Sequence, residues 1–172
     1  MGQATFQGPV RSLAGFYAQG PNTVVVVSGS TLTLDPAVHG GKILVITAAA
    51  TTITLPAVNV TADPASSGPG ADPNTVNNQG VTYTFVNTLA STAVKVITAA
   101  SNFLLGAAMV NAATPSAFFA NGTTTRSINL NGTTTGGLVG SSFSLTAIAS
   151  GQYFVQAQLL GSGSLATPFA TS

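Results

Sequence analysis

TTITLP at residues 51–56, VTYTFV at 81–86 and VKVIT at 94–98 share one pattern within the segment 40–106. In each, apolar side chains recur at alternate positions, and threonine fills most of the positions between them in the first two. A period of two with one apolar and one polar face is typical of a half-buried antiparallel sheet. The segment therefore predicts a β-structured core, and the rest of the chain continues the same pattern.

The whole chain of 172 residues contains about nine or ten such short stretches, separated by turn residues. Turn signals at intervals of about 8–12 residues favour a sandwich or a closed barrel. We therefore expect an all-β fold, an antiparallel β-sandwich or barrel of jelly-roll-like type, with an extended N-terminal arm. No sustained period of 3.6 residues appears, although the alanine-rich residues 107–113 are expected to make one helical turn.

Glycine and proline divide the chain into three parts. Residues 1–22 are punctuated by both residue types and are expected to form the arm, while residues 23–160 form the sandwich or barrel domain. Proline and glycine are dense in residues 57–80, which predicts a long surface loop within that domain. Residues 161–172 are expected to be a flexible tail, with docking of Pro168 and Phe169 as the alternative.

Charge is scarce in this protein. Charged residues make up 4% of the sequence, whereas an ordinary soluble domain has about 25%. A net charge near zero favours association, which points to a subunit of a structural assembly. The alternative is a surface of Thr, Ser, Asn and Gly that is hydrated without charge. The complete set of charged residues is Arg11, Asp35, Lys42, Asp63, Asp72, Lys95 and Arg126.

Several partner and compartment classes are disfavoured by the same composition. Four dispersed basic residues make no nucleic-acid patch, and the apolar runs are far shorter than the ~20 residues of a membrane-spanning helix. The first residues lack the pattern of a secretory signal. The chain has no cysteine and therefore no disulfide.

Candidate catalytic and ligand-binding groups are few. His39 follows Asp35 by four residues, but no nucleophile accompanies the pair, and a turn role is favoured. Asp63 and Asp72 lie on the long loop and by themselves make no cation site. The GSGSLA sequence at 161–166 resembles a loose phosphate-binding motif, although no helix is expected after it. The sequence thus predicts no enzymatic activity, no cofactor and no metal site.

Three asparagines, Asn59, Asn121 and Asn131, fit the N-glycosylation acceptor pattern. For the last two, Asn-Gly turn chemistry explains the sequence equally well. Threonine runs follow at 123–125 and 133–135. They suggest flat ice-binding or adhesin surfaces, but such surfaces need a fixed repeat, and the chain shows none.

A longer pattern carries a resemblance to a known class. It combines GGKILV at 40–45, TITLPA at 52–57, GVTYTFV at 80–86, VIT at 96–98, LLG at 104–106, SFSLTA at 142–147 and GQYFV at 151–155. Together with FQGPV at 6–10 and the Gly-Phe pair at 15–16, this resembles the small β-rich virion proteins of tailed bacteriophages. These include the head decoration, or cement, proteins, especially those of cyanophages. The longer loop 57–80, and Tyr153-Phe154 in place of the usual tryptophan in the last strand, depart from that pattern.

The resemblance implies a non-enzymatic homotrimer on the outer capsid surface of a virion, bound to the major capsid protein and stabilising the head. It also suggests that the arm provides the capsid or inter-subunit contact, and covering of the protein's own sheet is the alternative for these residues. A second hypothesis is a phage tail or fibre module that binds a host-surface glycan. The predicted contact residues of the arm are Phe6, Val10, Arg11, Leu13, Phe16 and Tyr17.

Overall fold

The computed structural model describes residues 23–61 and 77–172, which form twelve β-strands and one short helix. The arm 1–22, including its six predicted contact residues, and residues 62–76 of the long loop lie outside the described residues. The helix α1 spans Pro36–His39. The strands are β1 (Val24–Val27), β2 (Thr31–Thr33), β3 (Ile43–Ile46), β4 (Ala50–Thr54), β5 (Thr82–Asn87), β6 (Ala93–Ile97), β7 (Phe103–Asn111), β8 (Ser116–Asn121), β9 (Ser127–Leu130), β10 (Ser142–Ala149), β11 (Gln152–Leu160) and β12 (Phe169–Ala170).

The strands form two sheets, and the predicted all-β sandwich is confirmed. The larger sheet has seven strands in the order β1-β3-β5-β10-β11-β7-β8, and the smaller has five in the order β12-β9-β6-β4-β2. Each strand presents alternate side chains to the space between the sheets, as the period of two in the sequence predicts. The pairing is mixed in both sheets, which the sequence pattern did not reveal.

The first six strands alternate between the two sheets. β1, β3 and β5 are parallel neighbours in the larger sheet, and β2, β4 and β6 are parallel neighbours in the smaller one. Parallel neighbours need a long crossover connection, and here the crossover within one sheet contains a strand of the other. This half of the protein is therefore a coil of three turns. The pairing expected to be antiparallel around β4 and β6 is parallel for this reason.

The second half closes the sandwich mainly with antiparallel pairs. β10 lies between β5 and β11, β8 pairs with β7, and β9 lies between β6 and β12. One parallel pair remains, because β7 runs alongside β11 in the same direction. The long loop 57–80 joins β4 to β5, so it enters where the third turn of the coil begins.

The core lies between the inner faces of the two sheets. Its largest fully buried side chains are Tyr83, Tyr153 and Phe85. The ring of Phe85 stacks on that of Phe143 with centroids 4.7 Å apart and planes inclined by 13°. These two residues are directly opposite on β5 and β10, so the stacked pair fixes the register of the central strands.

The helical turn predicted from the alanines at 107–113 is wrong. Residues Phe103–Asn111 form the nine-residue strand β7, in which Ala108 and Val110 are buried while Met109 is exposed. Helix propensity is a weak local preference, and pairing with β8 on one side and β11 on the other overrides it here.

The end of the chain is docked on the smaller sheet. Phe169 is buried and pairs with Ile128, and the hydroxyl of Ser127 donates a hydrogen bond to the carbonyl oxygen of Ser172 at 2.9 Å. The alternative proposed for Pro168 and Phe169 therefore describes these residues better than a loose tail does.

Candidate interaction surface

His39 and Asp35 form a local capping arrangement around α1. The Asp35 carboxylate accepts a hydrogen bond from the Ala37 backbone N–H at 2.8 Å and caps the helix. The Asp35 backbone N–H in turn lies 2.9 Å from Nδ1 of His39. The ring is thus occupied by the backbone of its own turn, in agreement with the turn role favoured by the sequence.

The GSGSLA segment at 161–166 binds the protein's own backbone. Gly161 N–H donates to the Asn111 carbonyl at 2.9 Å, and Ala166 N–H donates to the Thr134 carbonyl at 2.9 Å. In the described residues no helix follows this segment. Within the same part of the chain, no group of three His, Cys, Asp or Glu residues is placed to hold a metal ion. The acidic residues of the long loop, Asp63 and Asp72, lie outside it.

The two Asn-Gly-Thr-Thr-Thr sequences fold into matching loops on either side of β9. Oδ1 of Asn121 accepts hydrogen bonds from three following backbone N–H groups at 2.9–3.2 Å, and Nδ2 donates to Thr124 Oγ1 at 2.7 Å. Asn131 makes the same type of contacts with the N–H groups of Thr133 and Thr135. Turn chemistry therefore accounts for both asparagines, since each side chain already satisfies the loop that follows it.

Two buried tyrosines are the only strongly perturbed titratable groups among the described residues. Burial, and to a smaller extent the charge of Asp35, raises the pKa of Tyr83 above its usual range. Burial, with a smaller contribution from Tyr83, does the same for the pKa of Tyr153. The Tyr153 hydroxyl donates to the Pro56 carbonyl at 2.9 Å, whereas the buried Tyr83 hydroxyl has no hydrogen-bond partner in the described part of the chain. Both side chains are fully buried, so they belong to the core rather than to a reactive site.

The widest distinctive surface is the outer face of the seven-stranded sheet. In the described residues, no layer of secondary structure lies over it. The register aligns its side chains in two rungs that cross all seven strands. The first rung is Val24, Ile43, Thr84, Ser144, Gln156, Ala107 and Phe119, and the second is Val26, Val45, Val86, Ser142, Gln158, Met109 and Ala117.

No side chain in these two rungs is charged. Aliphatic residues dominate at the β1 edge, hydroxyl and amide groups occupy the centre, and Phe119 with Met109 returns the surface to apolar character near β8. Phe119 is 76% exposed and Val26 62% exposed, and they are the two most exposed large apolar side chains described. An apolar surface rimmed or crossed by neutral polar groups is typical of an interaction site.

A concave groove lies in the part of this face near β8. It encloses about 850 Å³ and is lined by β7, β8, β10 and β11. Its lining combines small residues such as Ala107 and Ser144 with the larger side chains of Phe119, Phe154 and Leu105. Along the first rung, the register places the small side chains of Ser144 and Ala107 before the large ring of Phe119.

The outer face has the dimensions of a protein interface. Seven strands about 4.8 Å apart make a surface roughly 30 Å wide. With two or three exposed residues along each strand, the footprint is on the order of 600 Å², close to the ~800 Å² that each partner contributes to a standard interface. Sequence reasoning missed this surface because the apolar runs were assigned to strands without knowing which sheet each strand would join.

No protein-family model matches the chain, and no curated protein or solved structure matches it. Among the described residues, the one helix is far too short to cross a membrane.

Proposed function

We propose that this chain is a structural virion protein, a capsid decoration or cement protein that binds the outer surface of a tailed-phage head and stabilises it. Its partners are the major capsid protein and further copies of itself, arranged as the homotrimer that the sequence resemblance implies. The protein acts by binding and needs no cofactor. The observation that carries the proposal is the uncharged outer face of the seven-stranded sheet.

This face suits permanent attachment to a protein shell. The middle of each of its two rungs carries neutral hydroxyl and amide groups, and both ends are apolar. Docking through this face therefore desolvates no side-chain charge from this protein. Binding through such a surface depends on apolar burial and hydrogen bonds, and its affinity is expected to change little with salt. The sequence pattern across 40–155 supports the phage-head assignment independently of this surface.

Binding to heads tests the proposal directly. Heads of the encoding phage that lack this protein are mixed with the purified chain, and bound protein is measured by co-sedimentation. We expect saturable binding to the head, with a copy number comparable to that of the major capsid protein when intact virions are measured by quantitative mass spectrometry. A handful of copies per virion would move the protein to the tail, and absence from virions would reject the assignment.

Two variants locate the binding face. Gln156→Glu places one carboxylate at the centre of the outer face, where docking would bury it without a partner, and loss of binding is expected. Thr52→Glu places the same charge on the exposed face of the five-stranded sheet and is the matched control. Equal binding by both variants would exclude the outer face as the contact, while leaving the virion measurement to judge the function itself.

The groove favours a second candidate, a tail or fibre module that binds a neutral glycan. Exposed aromatic rings at Phe119 and Phe154 lie beside the amides of Gln156 and Gln158, and stacking combined with amide hydrogen bonds suits an uncharged sugar. A glycan array probed with the purified chain tests this candidate. Binding that is lost in Gln158→Ala would favour it, whereas no binding to any glycan would count against it.

A further inference from the structure

β8 is an edge strand of the seven-stranded sheet with β12 of the other sheet nearby, and within the described residues its own sequence lacks the usual protection of an edge. In the described residues it pairs with β7 on one side, and no strand pairs with its other side. Its sequence SAFFAN contains no charge and no proline, and its register with β7 runs without a bulge. Natural proteins normally protect an edge strand with a charged side chain, a proline or a bulge, because an exposed apolar edge is a template for another strand.

The hydrogen-bond pattern shows which backbone groups face outward. Gly122 N–H donates to the Leu104 carbonyl, while Leu104 N–H donates to the Thr125 carbonyl, so position 122 is a hydrogen-bonding position whose backbone faces β7 at the end of the β7–β8 ladder. Such positions alternate along antiparallel strands. The backbone groups of Phe118 and Ala120 therefore point to β7, and those of Ala117 and Phe119 point to the free edge.

The same two residues carry their side chains on the outer face of the sheet. Phe119 lies opposite Ala107 and Ala117 opposite Met109. A strand added to this edge would thus pair with the outward backbone groups and also cover the ring of Phe119, which is 76% exposed. At Phe119 the added strand would therefore gain both backbone hydrogen bonds and burial of an apolar ring.

We propose that a second copy of this chain pairs with β8, antiparallel and about a two-fold axis at Phe119. Antiparallel partners directly opposite each other share a face, so the register with Phe119 opposite Phe119 of the other copy keeps both outer faces continuous. It forms an aromatic cross-strand pair and places the N–H of Ala117 opposite the carbonyl of Asn121 of the other copy, while the Asn121 N–H keeps its bond to Thr125 Oγ1. The result is one sheet of fourteen strands across two copies.

A second copy fits this edge because the contact is self-complementary. The edge carries no charge, so two identical edges approach without repulsion, and an isologous pair closes as a dimer instead of growing into a fibre. The contact area of one edge strand is below the ~1,200 Å² of a standard interface, so the dimer is expected to be weak and concentration-dependent. In a trimer on a phage head, each of the three edges would join one trimer to the next.

Sedimentation velocity of the purified chain over a series of concentrations tests the pairing without any capsid. We expect a reversible, concentration-dependent association in which copies pair two by two, whether the species at low concentration is a monomer or the proposed homotrimer. Phe119→Lys should abolish the dimer, and Ala117→Pro should do the same while retaining the sheet, because the N–H that it removes has no acceptor among the described residues. Val139→Lys adds the same charge at another exposed apolar position and should dimerise like the parent protein.

Crosslinking tests the register. The chain has no cysteine, so Phe119→Cys carries the only thiol. A short bis-maleimide should crosslink this variant to a dimer, and Val139→Cys should remain monomeric. The proposal is overturned if the parent protein shows no concentration-dependent association up to the highest attainable concentration, if the association persists in Phe119→Lys, or if both cysteine variants crosslink equally.

Discussion

The two fully buried tyrosines differ in one contact, so the same substitution at each is expected to change stability in opposite directions. The hydroxyl of Tyr153 donates to the carbonyl of Pro56 at 2.9 Å. The hydroxyl of Tyr83 is equally buried and finds no hydrogen-bond partner among residues 23–61 and 77–172. Replacement of either residue by phenylalanine removes one oxygen atom and leaves the ring in place.

The expected change in the free energy of unfolding depends on whether each substitution leaves a buried polar group without a hydrogen-bond partner. Tyr153→Phe leaves the Pro56 carbonyl without this donor, and an unsatisfied buried group costs about 1–3 kcal/mol. Tyr83→Phe removes a hydroxyl that gains nothing from burial, so we expect a change between zero and about 1 kcal/mol of stabilisation. The two variants should therefore differ by about 2 kcal/mol, or about 4–8 °C in Tm for a domain of this size.

Urea denaturation followed by circular dichroism measures both values. The slopes of the two unfolding curves should match that of the parent protein, because neither substitution changes the surface exposed on unfolding. Equal destabilisation by the two substitutions would refute the reasoning, since it would mean that the Tyr83 hydroxyl has a stabilising partner in the folded protein.

Three further outcomes are expected. Burial holds the pKa of both core tyrosines above the ordinary value of about 10, so the folded state keeps protons that the unfolded chain loses. The free energy of unfolding should stay level below about pH 10 and fall above it by up to about 2.7 kcal/mol per pH unit, and a variant with both tyrosines replaced by phenylalanine should lose this slope in urea titrations. Gly106→Ala would place a Cβ 2.1 Å from the Val155 carbonyl oxygen at a φ of +138°, so the free energy of unfolding should fall by more than about 3 kcal/mol. Gly80→Ala has open space around its Cβ and should cost only about 1–2 kcal/mol. Similar thermal melting temperatures for the two variants would contradict this expectation. Asn121→Ala should cost about 1–2 kcal/mol because it removes the acceptor for three loop N–H groups, and Asn121→Asp, which keeps that oxygen, should recover most of the loss.

The strand content of this protein could be predicted from local pattern. Alternation in TTITLP and VTYTFV correctly identified the inward residues Ile53, Leu55, Tyr83 and Phe85, all of which are fully buried. The turn role of Asn131-Gly132 was also predictable, because Asn-Gly favours the positive φ that Gly132 adopts at +74°. These features depend on neighbours in sequence.

The strand order was not predictable in the same way. β4 and β6 have the period of antiparallel strands, yet they pair in parallel because β5 joins the other sheet between them in sequence. Alternation records that one face is buried, and it contains no information on the direction of the neighbour. The alanines of β7 gave a wrong prediction for the same reason, since only pairing on both sides makes that segment a strand.

Some properties of the candidate interaction surface could be predicted from the sequence, and others depend on the tertiary structure. The sequence by itself determined that the protein is nearly uncharged and rich in alternating strands. It did not determine that neutral side chains from seven separate strands would align in rungs on one outer face, or that Phe119 would project from an edge with which no other described strand pairs. Those properties arise from contacts between residues far apart in the chain, such as Gln156 with Ala107, and only the tertiary structure brings such residues together.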